Sequence, residues 1–248
     1  MHYKMNFRLV PSSEFTENEL TAKYIDVIHG TLVNPVTHEM IGEVEAIRVN
    51  VKEALKDGGP QLLGYVFDSH YEVTTIADVL SKNSTFDMLE GGKGWTLKDE
   101  AFSLMHSENK SDEVNVTYIR ENRVLPDFMG QGLGKLLLKG VSEYAGKDDG
   151  LVLLESLPLQ LCDNVESAYD YKIAVSETAD KSKEKLKAFY EKCTFQKLVD
   201  ERHDWMFAST KNLNDLQTRV KVKVNTVDEG IEEKSSFRIS ENEVSYGW

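Results

Sequence analysis

Three glycines in five residues, Gly130-Gln131-Gly132-Leu133-Gly134, lead into an apolar helical pattern that begins at Leu133. Where a strand turns into a helix, residues without a side chain let the backbone approach a ligand closely and aim its unpaired N–H groups at an anion. A pyrophosphate suits such a cradle. Two familiar glycine motifs do not fit it. The spacing is G-x-G-x-G, which lacks the third glycine position of a dinucleotide fingerprint. A magnesium-nucleotide loop needs four residues between its glycines and Ser or Thr after the lysine, whereas Gly130 and Gly134 enclose three and Lys135 is followed by Leu136.

The flanking elements are legible from periodicity. Val114 to Leu125 reads as a strand stopped by Pro126, and Leu133 to Tyr144 as a helix with Leu136, Leu137 and Val141 on one face and Gly146 as its C-terminal cap. Gly150 to Leu157, GLVLLESL, is a nearly continuous apolar run, as expected of a strand covered on both faces. Strand, helix and strand predict a parallel crossover, which places the glycine loop at the carboxyl edge of the sheet. Upstream, an irregular start precedes a hairpin of Tyr24 to Leu32 and Met40 to Val51 around Asn34-Pro35. Asp57-Gly58-Gly59-Pro60 breaks the pattern before a helix that runs through Val73, Ile76, Ala77 and Leu80. Ser84 to Gly94 reads as a loop, and Thr96 to His106 as a second helix with Phe102 and Met105. Downstream, Leu161 to Ala179 is irregular, and Ser182 to Cys193 is a Lys-rich helix with Leu186, Phe189 and Tyr190 on one face. Phe195 to Val199 and Trp205 to Ala208 form a closing hairpin. Residues 1–210 read as one domain and 211–248 as a C-terminal appendage, a strand around Val220, Val222 and Val224 followed by an acidic tail.

From Val124 to Lys135, VLPDFMGQGLGK, the chain resembles the GCN5-related N-acetyltransferase (GNAT) superfamily, whose central motif is Arg or Gln, Gly, x, Gly, x and Gly or Ala after a strand. A second stretch, Ala188 to Phe195, resembles that superfamily's helix ending in tyrosine, a basic residue and Gly-Phe. Shorter likenesses at Pro158-Leu159-Gln160 and Phe67 to Glu72 look like a poorly characterised microbial and phage-type branch. The resemblance covers about Val114 to Ala208. It implies a twisted mixed α/β sheet flanked by helices, with the two central parallel strands splayed to admit acetyl-CoA as co-substrate, and direct transfer of the acetyl group to a primary amine.

Carried over residue by residue, Val124 and Leu125 would pair through their backbone with the pantetheine arm. Met129, Gly130, Gln131, Gly132, Leu133, Gly134 and Lys135 would hold the pyrophosphate. Tyr190 would protonate the departing CoA thiolate. Three positions depart from the pattern: Met129 replaces Arg or Gln and removes a side-chain donor, Lys183 replaces an asparagine seven residues before the tyrosine, and Thr194 replaces a helix-capping glycine. Glu121 and Glu155 are candidates for the base that deprotonates the amine, each equally readable as a structural carboxylate.

The net charge of −13 disfavours unaided binding to nucleic acid. No stretch of about 18 apolar residues suggests a membrane span. Two cysteines, Cys162 and Cys193, support neither a disulfide framework nor a four-ligand zinc site, and six scattered histidines lack metal spacing, so no metal is expected and a cytoplasmic setting fits. The acceptor amine, a small molecule or a protein, would be met by the N-terminal half, around Asp68, His70 and Glu72. A homodimer is compatible with the pattern. The rival reading is a non-catalytic GNAT-fold module with a weakened CoA site at Met129, whose Val220 to Val224 strand joins the sheet of a protein partner.

Overall fold

Alternation of apolar and polar residues builds most of the sheet. The computed structural model describes residues 2–10, 12, 16, 18–90, 94–103, 114–145, 150–158, 179–198, 204–218 and 221–226. The stretch expected to be an irregular start is instead β1, His2–Val10, in which Tyr3, Met5 and Phe7 are buried while Lys4 and Arg8 face outward. Full burial of a side chain such as Met5 or Phe7 stabilises by about 1.5–3 kcal/mol, so this alternation outweighs the basic residues between.

The hairpin around Asn34 is β2, Ile25–Val33, and β3, Met40–Val49. Its turn is held by Asn34 Oδ1, which accepts from the N–H of Val36 at 2.9 Å. β3 ends before Val51, which starts a helix rather than closing the strand. After α1, Glu19–Ala22, the next helix is α2, Val51–Asp68, kinked where Gly59 is left-handed and Pro60 follows. α3, Tyr71–Leu80, carries the expected apolar face. The expected loop at Ser84–Gly94 contains α4, Thr85–Leu89, because Ser84 and Asp87 form a capping box. α5, Asp99–Ser103, covers part of the second expected helix, and Met105 lies outside the described residues.

β4, Asn115–Val124, then α6, Leu133–Tyr144, then β5, Gly150–Glu155, give the expected strand, helix and parallel strand. The expected cap Gly146 lies outside the described residues. α7, Ala179–Lys192, is followed by β6, Gln196–Lys197, paired antiparallel with β7, Trp205–Ser209. Most of the irregular stretch before α7, and the acidic tail after residue 226, lie outside the described residues. α8, Thr210–Asn214, precedes β8, Lys221–Thr226, the strand expected around Val222. Its partner is the chain's own β1, alongside which it runs parallel.

The eight strands form one mixed sheet in the order β6-β7-β5-β4-β3-β2-β1-β8. On one face, α2 and α3 pack Leu63, Phe67, Ile76 and Leu80 against Ile47, Val49 and Val116. On the other, α6 packs Leu133, Leu137 and Val141 against Val44, Ala46 and Ile119, joined by Tyr190 of α7. Among the described residues, no helix is long and apolar enough to cross a membrane.

Candidate functional site

β4 and β5 begin as partners and then part. Their register runs only from Asn115↔Gly150 to Ile119↔Leu154, while β4 continues to Val124 beside β3 and β5, flanked by β7 from Leu151 onward, ends at Glu155. A bulge marks the divergence: Ala46 opposes Ile119 and Glu45 opposes Glu121, so Arg120 is the extra residue. It also shifts the parity of the strand. Without it, Asn122 and Val124 would share a face with Tyr118; with it, Glu121 and Arg123 do, and Asn122 and Val124 turn toward α6. The carboxyl edge of β4 therefore has one ionic face, one face toward the glycine loop and, among the described residues, an open edge toward β5.

Leu125 turns away from that edge: it donates its N–H to the Ile41 carbonyl of β3 at 2.9 Å, and its own carbonyl accepts from Phe128 at 2.9 Å. Period-two alternation then turns the backbone groups of Val124 and Asn122 toward the gap. Of the two residues expected to face a pantetheine arm, Val124 is the one with its peptide groups directed there.

The loop that follows begins with a short 3₁₀ turn, Pro126–Phe128. Gly130 and Gly132 both have positive φ, 77° and 82°, a conformation that favours glycine, and a Cβ at either would meet nothing within 4 Å. Among the described residues nothing crowds either position. Gly134 differs: a Cβ there would lie 3.2 Å from the Phe189 ring, so this glycine lets α7 pack against the first turn of α6. Gly132 is the N-cap of α6 and supplies no side-chain cap, and the first turn carries no acidic residue. The N–H groups of Leu133, Gly134 and Lys135 precede the first intrahelical bond, from Leu136 to the Gly132 carbonyl at 3.1 Å. Gln131 is held from below, its Oε1 accepting from the Tyr3 hydroxyl at 3.0 Å. Met129 is 54% exposed and its side chain offers no donor.

Tyr190 lies near the end of α7, buried among Leu133, Leu136, Cys193 and Phe195 and in edge contact with the Phe195 ring at 5.6 Å. The helix and the glycine loop are thus brought together. Burial pushes the Tyr190 hydroxyl well above the ordinary phenol range, with a smaller contribution from Cys193, so the phenol stays protonated and keeps an O–H to donate. α7 ends in a Schellman motif, in which the N–H of Phe195 reaches the Tyr190 carbonyl and that of Thr194 the Glu191 carbonyl, both at 3.0 Å. Thr194 takes the left-handed position with φ 70°. Lys187 and Lys183 anchor the helix to Asp204 at 2.6 and 3.4 Å. The hydrogen bond from Lys187 is the main reason the Asp204 carboxyl is held below its usual range. Asp204 accepts through its carbonyl from the Ser156 N–H at 2.9 Å, tying α7 to the end of β5.

Sequence reading missed the ionic face. Arg120 donates through Nε to Glu72 of α3 at 2.8 Å and through Nη1 to Glu45 of β3. Arg123 pairs with Glu43 at 3.0 Å and with Glu121. Burial works against the Arg120 charge, but Glu72 and Glu45 outweigh it and keep the guanidinium charged. Tyr118 packs on Trp205 at 5.8 Å, and burial first, then the charges of Glu72 and Glu155, raise its hydroxyl well above the usual range. His70 caps α3 by accepting the Glu72 N–H on Nδ1 at 3.3 Å, and burial lowers its pKa. The available signal was alternation, Glu43-Val44-Glu45 beside Arg120-Glu121-Asn122-Arg123, which puts charges on one face of two neighbouring strands. The base candidate Glu121 is bound to Arg123, and Glu155 ends β5 across the gap.

The architecture is a twisted mixed α/β sheet whose central parallel pair splays beside a glycine loop. No protein-family model matches the chain, and no curated protein matches it. Among solved structures it is similar to one described as AtaTR bound with AcCoA, at 10% identity and TM-score 0.36, covering 85% of this chain and 96% of that one. A KacTA–DNA complex is similar at 14% identity and TM-score 0.36, with 77% and 71% covered. Arabidopsis thaliana NAA60 in complex with acetyl-CoA is similar at 13% identity and TM-score 0.33, with 83% and 98% covered. At these TM-scores the likenesses assign no family, activity, acceptor or partner to this chain.

Proposed function

We propose that the protein is an N-acetyltransferase that moves the acetyl group of acetyl-CoA to a primary amine by direct attack. The observation that supports this most is the open edge of β4 lying beside the uncapped start of α6, with Gly130 and Gly132 left-handed and unobstructed between them. In this reading the pyrophosphate meets the N–H groups of the loop and first helical turn, where the helix dipole favours a negative charge. Gln131, steadied by Tyr3, and Lys135 line the same turn. The pantetheine arm runs along the open edge at Val124 and brings the thioester into the gap between β4 and β5.

The neutral amine attacks the thioester carbonyl, the tetrahedral intermediate collapses by expelling the thiolate of CoA, and the proton lost from the nitrogen passes through water to that sulfur, giving amide and free thiol. Tyr190 stabilises that sulfur by donating its O–H. Full transfer of the proton would leave a phenolate among apolar side chains, so hydrogen bonding carries most of this role. The backbone amides of the loop compensate for Met129, because they do not depend on a guanidinium at that position. A screen of acetyl-CoA consumption, read as free CoA thiol released with different amine classes, tests the reaction. Turnover with at least one class is expected, and thiol release that never exceeds spontaneous hydrolysis would leave the non-catalytic reading.

A further inference from the structure

The point where β4 and β5 part is flanked by a phenol on each face of the sheet. Tyr190 belongs to the α6 side. Tyr118 belongs to β4 itself, opposite Leu153 and one pair before the last contact of the two strands, Ile119↔Leu154. Its side chain lies on the other face, packed with Leu153, Trp205 and Phe207 beneath α2 and α3. Its ring is 5.8 Å from that of Trp205, which opposes Glu155 at the very end of β5. Glu155 stands two residues beyond Leu153, so a Tyr118 ring that reaches Trp205 leans from the last paired residues toward the gap.

The ring is held by packing, but the hydroxyl is not used by the fold. It is half-buried with its oxygen still accessible, and it makes no hydrogen bond among the described residues. The buried Tyr3 and Tyr24, by contrast, give theirs to Gln131 and Asp57. A phenol fixed at its ring, with its O–H and lone pairs unspent, is placed to meet a ligand. The surroundings say what kind of atom it meets. Burial first, and then the carboxylates of Glu72 and Glu155 against the opposing charge of Arg120, keep the hydroxyl protonated. The field at this oxygen is therefore negative, which favours a neighbouring atom that gains positive charge and disfavours an oxyanion.

We propose that Tyr118 receives the acceptor amine, its oxygen accepting an N–H of the attacking nitrogen so that the nitrogen lone pair points at the thioester carbonyl in the gap. This role rests on the acetyltransferase reading. As the C–N bond forms, the π pair of the carbonyl moves to its oxygen and the nitrogen becomes positive. Its N–H is then a stronger donor, so the bond to Tyr118 tightens as the barrier is crossed. Tyr118 keeps its own proton throughout. Collapse re-forms the carbonyl and breaks the C–S bond, the electron pair leaving on sulfur at the Tyr190 side, and the nitrogen's proton reaches that sulfur through water.

The test is Tyr118→Phe, which keeps the ring on Trp205, assayed for CoA release with ethylamine, hydroxylamine, 1,4-diaminobutane and a lysine-containing peptide. With the amines that the unaltered chain acetylates, kcat should fall about 10- to 100-fold. The amine KM should change less, and the thermal midpoint and the dissociation constant of acetyl-CoA should hold, the latter within about twofold. A purely structural role would move the midpoint and the acetyl-CoA affinity together with kcat. An unchanged kcat, or a loss accompanied by an equal loss of acetyl-CoA affinity, overturns the role of Tyr118 and leaves the acetyltransferase reading standing. CoA release by the unaltered chain that never exceeds spontaneous hydrolysis with any of these amines overturns both.

Discussion

The two faces of β4 at its carboxyl edge are built from different materials. Toward α6, the candidate donor site is made of backbone: left-handed Gly130 and Gly132, the uncapped first turn of α6, and the unpaired edge at Val124. Toward α3, the opposite face is made of side-chain charge, with Arg120 and Arg123 each held between two carboxylates. A single bulge residue, Arg120, sets which side chains go to which face. Backbone sites tolerate side-chain change and fail when φ is disturbed, whereas ionic sites tolerate backbone adjustment and fail when one charge is left alone.

Breaking the ionic face should therefore produce the largest effect. Arg120→Leu strands the buried Glu72 carboxylate without its partner, and stability should fall by about 3 kcal/mol, read from urea denaturation. If stability is unchanged, the network is solvated and the contrast between faces is lost. On the other side, Tyr190→Phe removes one hydroxyl and no packing. Turnover should drop about 100-fold. Acetyl-CoA affinity should stay within about twofold in isothermal titration. A large loss of affinity with turnover intact would instead make Tyr190 a binding residue.

Gly132→Ala probes the backbone site in isolation, because a Cβ there meets no neighbour and only the left-handed φ resists it. An alanine at φ 82° costs about 1–2 kcal/mol, so acetyl-CoA affinity should weaken roughly 10-fold as the loop relaxes. An unchanged dissociation constant would separate loop conformation from binding. The smallest effect is expected at Thr194, where a β-branched residue occupies the left-handed position of the α7 cap and its Oγ1 is buried without a hydrogen bond. Thr194→Gly should raise stability by about 1 kcal/mol, seen as a higher thermal midpoint with turnover unaffected. A lower midpoint would mean that threonine packing outweighs the backbone strain.

The same contrast explains what could be read from the sequence. The glycine spacing, the apolar run of Gly150–Glu155 and the periodicity of Leu133–Tyr144 are local signals, and the parallel pair they predict is present. β1 was missed although Tyr3, Met5 and Phe7 alternate, since Lys4, Asn6 and Arg8 give the segment a polar composition and no turn signal precedes it. α4 was hidden because Ser84 and Asp87 read as loop residues until their reciprocal capping bonds are seen. The ionic face was illegible for a stronger reason: Glu72 meets Arg120 across 48 residues and Glu45 meets it across 75, and the bulge that aligns them has no marker in the sequence. Gly134 carried the opposite ambiguity, since its spacing suggests ligand contact while its immediate neighbour is Phe189.

The most direct test of the central claim is isothermal titration of the full chain with acetyl-CoA. Saturable binding of one equivalent with a dissociation constant of roughly 1–100 μM is expected, weakened by Gly132→Ala and left intact by Tyr190→Phe. Absence of saturable binding up to about 1 mM acetyl-CoA would contradict it.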